Sequence, residues 1–377
     1  MGLTVNPSVA ATFAIDGNFV EAAPYGSGHI HDTFLALYRN GAGESRFIHQ
    51  RLNRHVFPQA DVVMRNIAAV TRHVRRRLAA DATPDLDRRV LTLVPTRDGA
   101  DYTVDDLGHW WRTYIFIDHA RSIDTPEAPT QAFEAARAFG DFQRLLVDYD
   151  GPEVKETIPR FHHTRSRFEN FRRALSADAF SRAGGAADEV RFALAHEGIV
   201  DRLLDLVENG LARTRLTHND TKLNNVLLDG ATGQGLCVID LDTVMSGLPL
   251  YDFGDMVRTA TATAAEDERD LARVSVDEDL FEAVSAGYLS AAGSLLNAAE
   301  KEHLVFSARL IVLEIGLRFL TDHLGGDSYF KVHRPGQNLD RCRTQFKMVR
   351  VLEERDDRFR ELAERAALAG TAFTEAP

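Results

Sequence analysis

Cysteine is nearly missing from this 377-residue chain, which has only Cys237 and Cys342. Two thiols are too few for a disulfide framework and, alone, too few for a zinc site, so a reducing compartment fits best. Positive charge is also in short supply: 44 Lys+Arg face 56 Asp+Glu, a net charge of -12. A chain without surplus cations is a poor binder of nucleic acid or anionic lipid, although a small anionic substrate remains compatible with it. No basic region precedes an apolar stretch at the N-terminus, which argues against a secretory signal and for a cytoplasmic protein. Long hydrophobic runs are lacking as well. The most apolar stretch, Leu304 to Leu320, is interrupted by Arg309, Glu314 and Arg318, more charge than a bilayer-spanning helix carries, and reads as a buried helix. No obligate protein partner is evident.

What is present is ordinary globular composition, 44% hydrophobic and 27% charged, on a chain longer than one core usually serves. Residues 11 to 57 alternate short apolar runs with turn signals, as in Thr33 to Tyr38 and Phe47 to Leu52 around Asn40-Gly41-Ala42-Gly43. That pattern predicts antiparallel strands and hairpins. Val62, Val63, Ile67, Val70 and Val74 have helical spacing, and the basic cluster Arg72 to Arg77 reads as the solvated end of that helix. Strand-like runs return at Val90 to Val94 and Trp110 to Ile117. Helical text then dominates at 131–149, 165–176, 187–210 and 298–324, and the Ala-rich tail at 361–377 reads as frayed. Strands first and helices after predict an α+β chain with a small N-terminal lobe, 1–117, and a larger helical C-terminal lobe, 118–377.

The segment Arg215-Leu-Thr-His-Asn-Asp-Thr-Lys-Leu-Asn-Asn-Val-Leu-Leu-Asp229 places Asp220, Lys222 and Asn225 within six residues, ahead of an apolar triplet. Gly235-Leu-Cys-Val-Ile239 then gives an apolar strand ending in Asp240-Leu241-Asp242. Phosphoryl transfer from a nucleotide needs this inventory: a carboxylate to orient and deprotonate the acceptor hydroxyl, a cation for the moving phosphate, and oxygen ligands for a divalent metal. Asp220 is the candidate base, Lys222 the cation, and Asn225 with Asp240 the Mg²⁺ ligands. Two-residue periodicity puts Asp242 on the strand face of Asp240 as a further ligand. A Gly-x-Gly at Gly26-Ser27-Gly28, between two predicted strands, suits a phosphate-covering hairpin. Arg51, on the strand Phe47 to Leu52, is placed to bind phosphate, although the helix after it, Gln59 to Ala80, holds no Glu to pair with it. The seam residue Ile117 lies where backbone groups would meet adenine.

The spacing of Asp220, Lys222 and Asn225 resembles the catalytic loop of the protein-kinase-like fold. The His218-Asn219-Asp220 opening and the Ile239-Asp240-Leu241-Asp242 strand end resemble its aminoglycoside phosphotransferase and choline kinase branch. Asp252-Phe253-Gly254 spells the protein-kinase metal motif but follows a turn, Ser246-Gly-Leu-Pro249, with no apolar strand leading in. The resemblance gives Asp252 the part of bracing the catalytic loop from a helix start, and leaves the metal to Asp240. Longer stretches resemble the bacterial N-acetylhexosamine 1-kinases: Tyr25 to Thr33, Thr157 to His162, Thr217 to Asn225, Val238 to Thr243, Arg318 to Phe330 and Leu339 to Gln345. That resemblance spans roughly residues 20 to 350, and His31 stands where it leads one to expect Asn. It implies ATP- and Mg²⁺-dependent phosphorylation of the anomeric hydroxyl of N-acetylglucosamine or N-acetylgalactosamine, with Arg318 and Tyr329 at the sugar. Arg318 falls at the margin of the stripe Leu304, Ala308, Ile311 and Ile315, where an ion pair with Glu314 is an alternative role. The alternative activities are the same fold acting on another sugar, an amino sugar, an aminoglycoside or an amino alcohol, or a silent scaffold lacking turnover.

Overall fold

The computed structural model describes residues 5–26 and 30–374. A short helix α1 (Pro7–Thr12) leads into strands β1 (Asn18–Pro24), β2 (Asp32–Asn40) and β3 (Gly43–Arg51), which pair as successive antiparallel hairpins. The β2–β3 turn is closed by Asn40, whose Oδ1 accepts the N–H groups of Ala42 and Gly43 at 2.9 and 3.1 Å, an Asx turn of the kind Asn favours. Helices α2 (Ala60–Ala80) and α3 (Leu86–Arg89) follow, then β4 (Thr103–Val104) and β5 (Trp110–Ile115), completing a five-stranded sheet ordered β1-β2-β3-β5-β4. One face of this sheet has its own core around Phe13, Phe34, Tyr38 and Trp111. Strand alternation turns Gln50 and its cross-strand partner Arg112 to the other face, toward the rest of the chain.

The chain then crosses 116–119 into β6 (Ala120–Arg121) and α4 (Pro129–Leu145), and the next helices are α5 (Thr164–Ala177), α6 (Ala187–Ala195) and α7 (Arg202–Glu208). Two small sheets follow: β7 (Arg215–Thr217) pairs with β10 (Met245–Gly247), and β6 pairs with β8 (Val226–Asp229), which pairs with β9 (Gly235–Val238). Helices α8 (Pro249–Ala260), α9 (Glu278–Ala292), α10 (Ala298–Glu302), α11 (Leu304–Leu324), α12 (Gln337–Glu354) and α13 (Asp356–Thr374) complete the order. Helix α11 is buried along almost its whole length between α8 and α12. No helix among the described residues is long and apolar enough to cross a membrane.

The apolar stripe of α2, Val63, Ile67, Val70 and Val74, joins the main core of the helical part rather than the sheet's own core. The basic end of α2 is matched by acids, with Arg75 paired to Asp87, Arg76 to Asp150 and Arg77 to Asp148. Three expectations need correction. Val90 to Val94 forms one isolated bridge, Leu93 to Tyr114, rather than a strand. The 187–210 stretch breaks into α6 and α7. The Ala-rich tail is not frayed before Thr374: Phe359, Leu362 and Ala366 form a helical stripe, buried in the core, and α13 packs on α9.

Candidate active site

The site is built around the loop between β7 and β8. Asn219 turns the chain there with a left-handed φ of +64°, a conformation Asn tolerates better than most side chains. Its Nδ2 donates to the carbonyls of Thr217, Thr243 and Met245 at 3.2, 3.0 and 3.3 Å. Gly247 on β10 passes so close that a Cβ would lie 2.4 Å from Asn219 Oδ1. Asp252, in the first turn of α8, accepts the backbone N–H groups of His218 and Asn219 at 3.0 and 2.7 Å and Nε2 of Gln143 at 2.6 Å, while Thr221 Oγ1 donates to its carbonyl. Asp252-Phe253-Gly254 therefore lies inside a helix, and Asp252 braces the loop as the resemblance implies. Burial pushes its carboxyl above the usual range, against the pull of His218 and the three donors.

The brace presents Asp220 with its side chain 23% exposed. Lys222 Nζ lies 2.9 Å from its Oδ2, and Asn225 Nδ2 donates to the same oxygen at 3.2 Å and to the Asp220 carbonyl at 2.8 Å. Oδ1 has no hydrogen-bond partner among the described residues. Burial alone would raise the pKa of this carboxyl, but the charge and hydrogen bond of Lys222, with His218 and Arg258 farther out, hold it below the ordinary value. Lys222 is correspondingly pushed up by Asp220. The loop thus holds an ionised carboxylate with one oxygen tied down and one free.

Beyond β9 the chain turns at Asp240, which takes a left-handed φ of +59°, and residues 241–243 form a 3-10 turn. The two-residue periodicity that placed Asp242 on the face of Asp240 therefore does not apply, because the strand ends at Val238. The turn nevertheless brings Asp240, Asp242 and His31 together, with one ligand atom of each inside 4.8 Å of the others. Asp240 has no hydrogen-bond or ion-pair partner among the described residues. Burial and the neighbouring Asp242 and Asp220 carboxylates push its carboxyl up, the state of an acid that lacks a cation. Asn225 Oδ1 likewise accepts from no described group. Asp242 is differently placed: Arg112 donates to both its oxygens at 2.8 and 2.7 Å, and His31 Nε2 lies 3.2 Å from Oδ1. Burial raises its pKa, but Arg112 and His31 outweigh that and hold it far below the carboxylate range.

On the nucleotide side, Gly26 has φ +81° with open space where a Cβ would stand, while Ser27 and Gly28 lie outside the described residues. Tyr25 N–H donates to Thr33 at the base of this hairpin at 2.9 Å. Arg51 is not brought to the cleft. It alternates with Gln50 onto the opposite sheet face and bonds Asp32 through Nε at 2.8 Å, so the cation that the sheet delivers to the acidic turn is Arg112. Ile117 is buried beside Leu236 and Cys237, and its backbone N–H and C=O have no partner among the described residues.

A second, cationic cluster gathers around Arg318 on α11. The Arg318 guanidinium lies over the rings of Phe161, Phe330 and Tyr329 at 5.0, 5.5 and 5.9 Å, each a favourable cation–π distance. The alternative role in an ion pair with Glu314 is not what forms. Glu314 accepts instead from His162 Nδ1 at 2.9 Å and Thr164 Oγ1 at 2.8 Å, and no acid pairs with Arg318 among the described residues. Tyr329, half exposed, sits on a loop gathered by Asp322, which accepts the N–H groups of Ser328, Tyr329 and Phe330 at 2.9, 2.8 and 2.9 Å.

A model of the phosphotransferase enzyme family matches residues 21–290. The chain belongs to that family. Solved structures share its two-lobed kinase-like fold: a microcompartment-associated aminopropanol kinase, 18% identical, covers 94% of this chain and 97% of its own with a TM-score of 0.62. An aminoglycoside phosphotransferase from Alicyclobacillus acidocaldarius is 13% identical, covering 97% of each chain with a TM-score of 0.58. A choline kinase from Cryptosporidium parvum is 15% identical, covering 90% of each chain with a TM-score of 0.54. At these identities the likeness speaks for fold alone.

Several residues of this phosphotransferase escape reading from sequence. Arg112 and Asp242 are 130 positions apart, and only the alternation of β5 hinted that Arg112 faces inward. His162 and Asp322 lie within stretches that resemble the sugar kinases, yet nothing local tells a buried, doubly bonded histidine or a loop-gathering aspartate from an exposed one.

Proposed function

We propose that this phosphotransferase moves the γ-phosphoryl group of ATP to the anomeric C1 hydroxyl of N-acetylglucosamine or N-acetylgalactosamine. The observation that carries the acceptor class is the Arg318 cluster, a guanidinium caged by three aromatic rings with no ion-pair partner among the described residues. Arg167 lies near enough that Arg318 adds to burial in lowering its pKa, so the region is doubly cationic. Such a surface offers donors to hydroxyl and acyl oxygens and repels an ammonium. Choline-like and aminoglycoside acceptors would need the opposite charge. The sugar itself is supported by the sequence stretches that resemble the N-acetylhexosamine 1-kinases.

In this reading Asp220 Oδ1, the free oxygen, accepts the proton of the C1 hydroxyl and aims it in line with the γ-phosphorus. The C1 oxygen forms the new bond as the bond to the β–γ bridging oxygen breaks, releasing ADP. Lys222 offsets charge on the transferring group, and catalysis is mainly positioning and electrostatics. The unpartnered Asp240 and the open Oδ1 of Asn225 fit Mg²⁺, which needs few protein oxygens. Asp242, with most of its lone pairs taken by Arg112 and His31, is the lesser ligand. Bound Mg²⁺ would neutralise phosphate charge. Gly26 with Ser27 and Gly28 would cover the phosphates, and the free backbone groups of Ile117 would meet adenine.

The test is ATP consumption over free N-acetylglucosamine, N-acetylgalactosamine, glucosamine, galactose, choline and kanamycin, with phosphorus NMR locating the product phosphate. An anomeric phosphate on an N-acetylhexosamine is expected. Phosphate on choline or kanamycin would discard the acceptor assignment while keeping the chemistry.

A further inference from the structure

Behind the candidate base lies a buried pair that phosphoryl transfer does not itself require. His162 stands between two acceptors: its Nδ1 is 2.9 Å from Oε1 of Glu314, and its Nε2 is 2.9 Å from the backbone carbonyl of Asn219. A carboxylate oxygen and a carbonyl oxygen both accept, so both contacts are hydrogen bonds only when both ring nitrogens carry protons. The ring is 4% exposed and Glu314 wholly buried, and a carboxylate so placed needs a cation. Thr164 Oγ1 satisfies the other Glu314 oxygen.

The two ends of this bridge matter. Asn219 is the left-handed residue directly before Asp220, and its carbonyl belongs to the peptide whose N–H is that of Asp220. Glu314 sits one turn before Arg318 on α11, and Phe161, next to His162, lies under the Arg318 guanidinium. We propose that His162, held as an imidazolium by Glu314, is a positioning residue that fixes the Asn219–Asp220 peptide and ties the aim of the Asp220 carboxylate to the helix bearing the Arg318 cluster.

Other groups facing the pair are compatible with this. The Tyr251 ring on α8 lies tilted against the imidazole at 5.3 Å, and Asp255 on the same helix adds negative charge. Arg167 and Arg318 face Glu314 and favour its ionised form. Burial pulls the His162 pKa down, but Glu314, the Asn219 carbonyl and Asp255 together leave it above the ordinary histidine value. The sign follows: a His whose folded pKa is raised loses its second proton only as pH rises above that value. One of the two bonds then goes, so turnover falls on the alkaline side.

The proposal rests on the reading of Asp220 as the base, so one test needs no turnover. Long-range ¹H–¹⁵N spectra of the full chain at pH 7, with His162→Gln used to assign the signal, are expected to show both His162 ring nitrogens protonated. A neutral tautomer would overturn the proposal whatever the acceptor is. With ATP and N-acetylglucosamine, His162→Gln should lower kcat about tenfold to a hundredfold, the range for misplaced catalytic geometry, with KM for ATP unchanged. Glu314→Gln should move the alkaline limb of the kcat profile to lower pH by about one unit. A kcat and pH profile like those of the parent in folded variants, shown by unchanged circular dichroism, would reduce the pair to a packing role. If Glu314→Gln does not fold, the spectrum of the parent still decides.

Discussion

The two sides of this candidate active site are built on opposite electrostatic plans. On the proposed phosphate side, Asp220, Asp240 and Asp242 converge, and cations are supplied one by one: Lys222 to Asp220 and Arg112 to Asp242, whose Oδ1 also contacts His31 Nε2. Among the described residues, Asp240 of these three is left without an ion-pair partner. On the proposed acceptor side Arg318 sits among rings with Arg167 nearby and no ion-paired acid among the described residues, and Glu314 on the same helix is bonded by His162 instead. An acid without a cation calls for a metal, and a cation without an acid calls for an oxygen-rich uncharged or anionic partner. The chemistry of each half is thus set by what its neighbours leave unpaired.

Substitutions test that contrast unequally. Removing the proposed base should have the largest effect: Asp220→Asn is expected to lower kcat by about 10²–10⁴ with ATP binding kept, read by steady-state kinetics and nucleotide titration. Asp240→Asn removes the unpaired acid and should lower kcat by about 10²–10³ while weakening the Mg²⁺ dependence of turnover, measured by metal titration at fixed ATP. Breaking the acceptor side is expected to cost less. Arg318→Ala should lower kcat/KM for the sugar by about 10–100-fold, as loss of a hydrogen bond from a charged group does, with KM for ATP unmoved.

Legibility from sequence divided along the same line. The phosphate side is local: Asp220, Lys222 and Asn225 lie within six residues, and Asp252 announces itself by spelling a metal motif where no strand precedes it. The acceptor side and the cross-links are not local. Arg112 reaches Asp242 only because β5 pairs with β3 and the sheet face then packs over the acidic turn. Arg51 failed for the complementary reason: its charge fitted the role, but a one-residue step on a strand turns a side chain to the other face. The elements followed hydrophobic period, as in α2 and α11, and missed the 3-10 turn at Glu197–Ile199 that splits 187–210. The tail at 361–377 shows the limit of composition, since Ala-rich text says nothing of whether a neighbour such as α9 is there to receive its stripe.

Smaller effects sharpen the picture. Lys222 holds Asp220 below the ordinary carboxylate range, so the base stays ionised until pH falls through that lowered value. Lys222→Met should move the acid limb of the kcat/KM profile upward by about one unit, as loss of an adjacent opposite charge does, on top of any fall in rate. Asp252→Ala, which strands three N–H donors in the core, should destabilise the fold by about 2–4 kcal/mol, read by urea unfolding.

The contrast between the two sides is tested most directly by a pair of acceptors that differ at one position, in charge and in the acetyl group. N-acetylglucosamine and glucosamine share the hydroxyl to be phosphorylated, but the second carries an ammonium where the first carries a neutral amide. Their kcat/KM values with ATP, measured side by side, are expected to favour N-acetylglucosamine by about a hundredfold or more, with most of the preference lost in Arg318→Gln. Equal or greater efficiency on glucosamine in the parent enzyme would contradict the account.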